Sequence, residues 1–166
     1  MFGLLRRTSA TVLTILALVV IAGDANSAPP RGTQPMPTGV LPARMPVVPQ
    51  PAVILALVRY TMLAVDQANK SGNYTVLRDI GGPDFHDSND AARLAQIFAP
   101  IRTQGIDMLA IAVIEPQYKE PPRLTAKRML YVSGRFAMTP HSVNFELLFE
   151  VVRGQWLLYG ISIVPA

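Results

Sequence analysis

The chain has 166 residues, a formal net charge of +4 and no cysteine. This length accommodates one domain of ordinary size, and an apolar content of 50% excludes disorder throughout the chain. So small a positive charge excludes the strongly basic surface of nucleic-acid-binding proteins, and no nucleic-acid partner is expected. The lack of cysteine excludes disulfides, thiolate nucleophiles and thiolate metal sites.

Residues 1–27 are predicted to form a secretory signal peptide. Arg6 and Arg7 precede an apolar run from Thr11 to Ala22, and small residues follow this run up to Ser27. The layout predicts export to the periplasm or the medium, with a mature chain that starts between residues 26 and 28. The alternative is an uncleaved anchor, but this apolar run is shorter than the ~20 residues that span a bilayer.

Residues 28–50 are predicted to form a disordered, proline-rich linker. Eight prolines lie from Pro29 to Pro51. Each proline fixes its own φ angle and disfavours helix at the preceding residue, so the segment has no periodic apolar face with which to build a core. The folded domain is therefore predicted over residues 51–166, with Pro51 in the first turn of a helix.

Helical periodicity predicts three helices at the start of this domain. The first runs from Pro51 to about Lys70 and repeats its apolar residues at the spacing of one helix face. A short second helix is expected from Tyr74 to Asp79. A third is expected over residues 88–105, with a proline in its last turn.

Beyond Gly105 the pattern changes to the two-residue alternation of strands. Strands are predicted over residues 128–138, 143–152 and 155–164, and Arg153 with Gly154 joins the last two as an antiparallel hairpin. A weaker strand that contains Pro116 is expected at a sheet edge. The fold class is therefore α+β, with the helices packed on a curved antiparallel sheet. The residues predicted to face inward and line a pocket are Phe145, Leu147, Phe149, Leu157, Tyr159 and Ile161.

The order of helices and then strands, closing with FELLFEVVRGQWLLYGISIV, resembles the NTF2-like (nuclear transport factor 2-like) superfamily, which has a cystatin-like fold. The resemblance covers about residues 52–164 and rests mainly on the final hairpin, whose last strand opens with Trp156. The element order is similar to that of a small secreted bacterial branch. The resemblance implies a sheet whose mouth is closed by helices, leaving a cone for a small ligand. Members include isomerases, dehydratases, cyclases and non-catalytic binding domains, so the fold alone does not assign an activity.

The stretch PDFHDSND, residues 83–90, combines three aspartates with His86. Such groups suit a divalent cation or a general base, but their spacing matches no ligand signature. Ser88, Asn89 or Asp90 is instead expected to cap the following helix, whose positive end favours nearby acids. Neither a metal site nor a cofactor site is expected.

The candidate catalytic residues are Asp79, His86, Asp107 and Tyr74, since a base in such a cone would have to come from the helices. Asp66 and Tyr60 are of suitable type as well. Because the inward strand face is almost wholly apolar, the sequence predicts an exported, non-enzymatic ligand-binding or protein-interaction domain. The alternative is a small isomerase, dehydratase or hydrolase that uses the apolar cone with an aspartate or histidine base.

Two kinds of partner follow from the apolar faces. A small apolar ligand is expected in the cone. A homodimer is expected through the outer sheet face, where Leu148, Val152 and Leu158 are candidates for exposed apolar residues. The membrane is expected to be a partner only through an uncleaved signal segment.

Overall fold

The computed structural model describes residues 45–166. The predicted signal peptide and the predicted linker up to residue 44 lie outside the described residues. The described part is α+β, with short helices that precede an open antiparallel sheet.

The longest helix, α1 (Pro51–Ser71), begins with a proline in its first turn and ends at Gly72, which adopts the left-handed conformation. Its buried face carries Ile54, Val58 and Met62, as the periodicity predicts. By length and composition α1 is the one described helix that could cross a membrane, but core helices of soluble proteins pass the same test. Here 44% of its apolar window is buried against the rest of the domain.

Four short helices follow: α2 (Thr75–Asp79), α3 (Pro83–Ser88), α4 (Ala91–Ile97) and α5 (Ala99–Thr103). A 3-10 helix over Leu109–Ala112 then leads into the sheet. Helix α1 packs against α2 and α5, and α3 and α5 approach the last strand.

The prediction of three helices is wrong in two places. PDFHDS itself forms α3, with Pro83 in its first turn, and does not merely precede a helix. The expected single helix over residues 88–105 is two helices that meet at Phe98. Pro100 has no N–H to donate, which suits the first turn of α5 better than the interior of one continuous helix.

The sheet has five antiparallel strands: β1 (Gln117–Tyr118), β2 (Arg123–Leu124), β3 (Leu130–Phe136), β4 (Val143–Val152) and β5 (Gln155–Pro165). Strands β1 and β2 both pair with β3, β3 pairs with β4, and β4 pairs with β5. The three long strands are therefore consecutive neighbours. The two short strands follow Pro116 and pair with β3 at the edge of the sheet, where a weaker strand was predicted.

The β4–β5 hairpin turns at Arg153 and Gly154, as predicted. Their φ angles are 52° and 80°, and two successive positive values define the type I′ turn that matches the twist of paired strands. Trp156 at the start of β5 is half-buried.

A β-bulge shifts the alternation of β5. Leu148 is paired with Gly160, but Phe149 is paired with Leu158, so that Tyr159 is an extra residue. The inward assignment of Leu157 is therefore wrong: it is paired with Glu150 on the outer face, and Leu158 faces the core instead. The bulge also corrects the dimer candidate Leu158, which is 2% exposed and cannot contribute to an outer apolar patch.

The core lies between the inner sheet face and the helices. Phe136 and Phe145 meet at a ring-centroid distance of 5.3 Å, and Phe98 and Met62 pack into the same cluster from the helical side. Phe145, Leu147 and Phe149, predicted to line a pocket, are each at most 1% exposed. The sheet face that the resemblance assigns to a ligand cone is thus largely filled by side chains.

Candidate functional site

A cleft lies between α1, the end of α2 and the β4–β5 hairpin, and we call it the hairpin cleft. Its volume is about 270 Å³. It is lined by Leu57, Tyr60, Thr61, Asp79, Ile80, Phe149, Trp156, Leu157 and Leu158. Two of the predicted pocket residues, Phe149 and Leu157, therefore meet here, together with the predicted candidate Asp79.

The polar groups of the hairpin cleft lie at its exposed parts. Tyr60 is 61% exposed and Asp79 is also exposed, whereas Thr61 and Phe149 are buried. Within residues 45–166 neither Asp79 nor Tyr60 makes a side-chain hydrogen bond. The cleft therefore has an apolar floor, with the phenol of Tyr60 and the carboxylate of Asp79 beside it. Trp156, which also lines it, is the chain's single tryptophan.

A polar cluster lies at the end of α1. The Asp66 carboxylate accepts hydrogen bonds from the Met108 backbone N–H at 3.0 Å and from Lys70 Nζ at 2.8 Å. Lys70 also donates to Asp107 at 2.7 Å. The bonds to Asp107 and Asp66 raise the pKa of Lys70, and Lys70 lowers the pKa of Asp107. The candidate Asp107 is thus an exposed partner in a structural ion pair.

Tyr74 is buried beside this cluster. Its hydroxyl donates to Asn69 Oδ1 at 2.5 Å and accepts from Arg102 Nη1 at 2.5 Å. With both roles filled, the phenol holds α1 and α5 together. It lies within hydrogen-bonding distance of none of the carboxylates in the described part of the chain.

His86 is held by Arg78. The Arg78 guanidinium donates to the backbone oxygen of His86 at 3.2 Å, and its Nη2 lies 3.0 Å from His86 Nδ1. A guanidinium cannot accept a hydrogen bond, so Nδ1 accepts and the proton of the neutral ring resides on Nε2. The hydrogen bonds between Arg78 and His86 therefore connect α2 to α3.

Of the predicted capping residues, Asp90 is confirmed, whereas Asp84 and Asp87 lie within α3, a helix that was not predicted. Asp90 caps α4 by accepting from the Arg93 N–H at 2.7 Å, and Asp84 lies in the first turn of α3. Among the described residues, no group of three or more His, Asp or Glu side chains is placed to hold a metal ion.

Glu150 is a half-buried acid that sequence analysis did not single out. Its Oε1 atom is buried without a hydrogen-bond partner in the described part of the chain, and a Cβ atom at position 82 would overlap it, so Gly82 permits the approach. Burial raises the pKa of Glu150, and the nearby charge of Asp84 adds to the rise. The sequence signal for this site is weak, because Glu150 alternates as a solvent-facing strand residue would.

Comparisons with protein-family models, curated proteins and solved structures found no match to this chain. The function is therefore argued from the geometry alone.

Proposed function

We propose that the chain is an exported, non-enzymatic binding domain that holds an apolar group in the hairpin cleft. The group belongs to a small ligand or to a side chain of a partner protein. The observation that carries the proposal is the composition of the cleft, in which Leu57, Phe149 and Trp156 form an apolar floor next to the exposed Tyr60.

The size of the cleft supports a single apolar group. Pockets for drug-sized ligands occupy about 300–1,000 Å³, and this cleft has about 270 Å³. Tryptophan and tyrosine are the residue types that most often dominate binding energy at interfaces, because they bury much apolar area with few rotatable bonds.

The placement of the candidate catalytic residues favours binding over isomerase, dehydratase or hydrolase chemistry. A general base in an apolar cone needs a buried position and a reacting group within hydrogen-bonding distance. Asp107 is ion-paired with Lys70, His86 is held by Arg78, and Tyr74 is saturated by Asn69 and Arg102. Asp79 lines the cleft from an exposed position.

Tryptophan fluorescence tests the proposal, because Trp156 is the only indole in the chain. The full chain is titrated with a small apolar probe that does not absorb in the near ultraviolet, such as cyclohexanol, and binding is followed by Trp156 emission and by thermal shift. We expect saturable binding that is weakened in Tyr60→Ala and Leu57→Ala. Tyr118→Ala serves as the matched control, since Tyr118 is also exposed but lies outside the cleft.

The outcome of this titration separates the alternatives. Equal binding in Tyr60→Ala and Tyr118→Ala would contradict an assignment to the hairpin cleft. Turnover of an ester or a ketosteroid-like probe that is abolished by Asp79→Asn would favour the enzyme instead.

Export, the NTF2-like fold and a homodimer complete the proposal. The Arg6–Arg7 pair and the apolar run after it support export, and intact-mass analysis should find a mature start between residues 26 and 28. The order of helices before an antiparallel sheet supports the NTF2-like fold. The half-buried Leu148 and Val152 on the outer sheet face support a dimer, which light scattering at several concentrations tests.

A further inference from the structure

A second cleft lies on the outer face of the sheet, the face that points away from the core. We call it the outer cleft. Its volume is about 480 Å³, within the range of about 300–1,000 Å³ that holds small molecules. Its polar lining consists of Gln117, Lys119, Ser133, Arg135, Asn144 and Glu146.

The strand register brings these side chains together. Ser133 is paired with Glu146, and Arg135 is paired with both Asn144 and Gln117. Side chains of directly opposed residues have Cβ atoms about 4.5–5.5 Å apart. Lys119 continues the line of β1, since its backbone N–H donates to the Ser133 oxygen at 2.9 Å. Two cations therefore flank Ser133 on the β1 and β3 side, and one carboxylate flanks it on β4.

Ser133 is a buried polar residue of the outer cleft whose hydroxyl lacks a partner among the described residues. It is 1% exposed, and its Oγ atom is buried with no hydrogen-bond partner within residues 45–166. Buried polar groups without a hydrogen-bond partner are rare in folded proteins, and a ligand that binds at the group is one explanation.

The charged side chains of the outer cleft are also unengaged in the described part of the chain. Neither Lys119 nor Glu146 forms an ion pair or a side-chain hydrogen bond there, and Arg135 donates only to Ser142 Oγ at 2.9 Å. The neighbouring Arg123 differs, because it pairs with Glu120 at 3.0 Å and lies over the Tyr131 ring at 4.9 Å. At least one charged side chain of the same face is therefore paired within residues 45–166, in contrast to Lys119 and Glu146.

We propose that the outer cleft binds a small zwitterion that carries one carboxylate and one ammonium group, as a free amino acid does. Lys119 and Arg135 hold the carboxylate, and Glu146 holds the ammonium. Ser133 Oγ, which can donate and accept, bonds to the ligand between them. A lone anion would be repelled by Glu146, and a lone cation by Lys119 and Arg135, so a ligand with both charges fits best.

Amide chemical-shift titration of the ¹⁵N-labelled full chain tests this assignment. The probes are glycine, glutamine and leucine as zwitterions, acetate as a lone carboxylate and propylammonium as a lone ammonium. We expect saturable shifts at β3 and β4 amides around Ser133 and Glu146 with at least one zwitterion, and at least about tenfold weaker binding of both single-charge probes. Absence of saturation with all three zwitterions at millimolar concentration would overturn the proposal.

Charge variants separate a zwitterion from a bare anion. Arg135→Gln and Glu146→Gln should each weaken binding about tenfold or more without changing the unfolding midpoint, because both side chains are exposed. Tighter binding of acetate in Glu146→Gln, together with loss of zwitterion preference, would show an anion site and overturn the proposal.

Ser133→Ala tests the hydroxyl. It should weaken zwitterion binding and leave stability unchanged or higher, since the hydroxyl it removes has no partner in the described part of the chain. Ser162→Ala is the matched control: Ser162 is paired with Glu146 from the other side, is exposed and lies outside the cleft lining. Equal affinity in the two variants would contradict a role for Ser133, and the exposed Arg135→Gln variant decides the case if Ser133→Ala does not fold.

Discussion

Asp66 is the one charged residue that is buried among residues 45–166, with 3% of its surface exposed. A carboxylate at such a position is stable only when its oxygens are bonded. Met108 N–H and Lys70 provide those bonds, so Asp66 ties α1 to the segment that precedes the 3-10 helix. The role is structural, and it accounts for a charge on the buried face of α1.

Replacement of Asp66 should therefore affect stability more than replacement of Asp107. Asp66→Ala leaves the Met108 N–H without an acceptor and is expected to lower the free energy of unfolding by about 1–3 kcal/mol. Asp107→Ala removes an exposed partner of Lys70 and should have a much smaller effect. Urea denaturation of the two variants measures the difference, and similar midpoints would contradict this account.

Glu150 gives a pH-dependent prediction. Its pKa is raised in the folded state, first by burial and then by Asp84, so the folded chain holds this proton more tightly than the unfolded chain. Stability associated with the group is therefore full below its ordinary pKa of 4.5 and is lost as the pH rises through the folded pKa. Glu150→Gln should raise the melting temperature at pH 7 and leave it nearly unchanged at pH 4. The isosteric change leaves the contact with Gly82 intact, so an equal gain at both pH values would argue against charge as the cause.

Individual site residues were the hardest features to predict from sequence. Asp66 had a usable signal, because it follows Met62 by four residues and so falls on the apolar stripe of α1. Ser133 and Glu150 carried little sequence signal of burial, because each occupies an outward position in the alternation of its strand. Their burial depends on segments that are distant in sequence. Lys70 and Asp107 meet across 37 positions, which no local pattern reports.

At the scale of elements, the β4–β5 turn depends on two residues with positive φ. Arg153 and Gly154 both lie in the left-handed region, and only glycine enters this region without a steric cost from Cβ. The steric cost of the left-handed conformation therefore arises mainly at Arg153, because this residue has a Cβ atom.

Turn variants should change stability in opposite directions. Gly154→Ala is expected to lower the free energy of unfolding by about 1–2 kcal/mol, and Arg153→Asn to raise it by a few tenths, because asparagine tolerates left-handed backbone. Gly160→Ala is the control, since its added Cβ would meet only ordinary contacts with Leu148 at 3.6 Å. Chemical denaturation measures the free energy of unfolding of the three variants. If Gly160→Ala lowers it more than Gly154→Ala does, the importance of the left-handed conformation at Gly154 would be contradicted.

The type of an element, helix or strand, could be predicted wherever its apolar residues repeat at a constant spacing. The stripe of α1 and the alternation of β3 and β4 are long enough to be read locally, and both predictions are confirmed. The bulge at Tyr159 inserts one residue, which reverses the apparent facing of everything before it in β5, and only the pairing with β4 shows where it lies. The break at Phe98 was missed because the apolar stripe of α4 continues into α5.

At the scale of the whole molecule, the core that α1 shares with the sheet should be sufficient for folding. A chain of residues 50–166 is expected to unfold cooperatively and at the same midpoint as the mature chain, because α1 begins at Pro51 and its buried face packs within this range. Circular dichroism during urea denaturation measures both. A broad transition in the shorter chain alone would mean that the proline-rich segment packs on the domain.

The consecutive order of β3, β4 and β5 at residues 130–165 has a consequence for biosynthesis. Within residues 45–166 every helix is made before β3, β4 and β5, so the apolar faces of the helices have no long strand to pack on until these strands leave the ribosome. Domains generally fold as units during synthesis, and this one completes its nucleus late. The nascent polypeptide therefore stays open at least until residue 130 has been made, and the export proposed above would require such an open chain in a translocation channel that admits only extended chain.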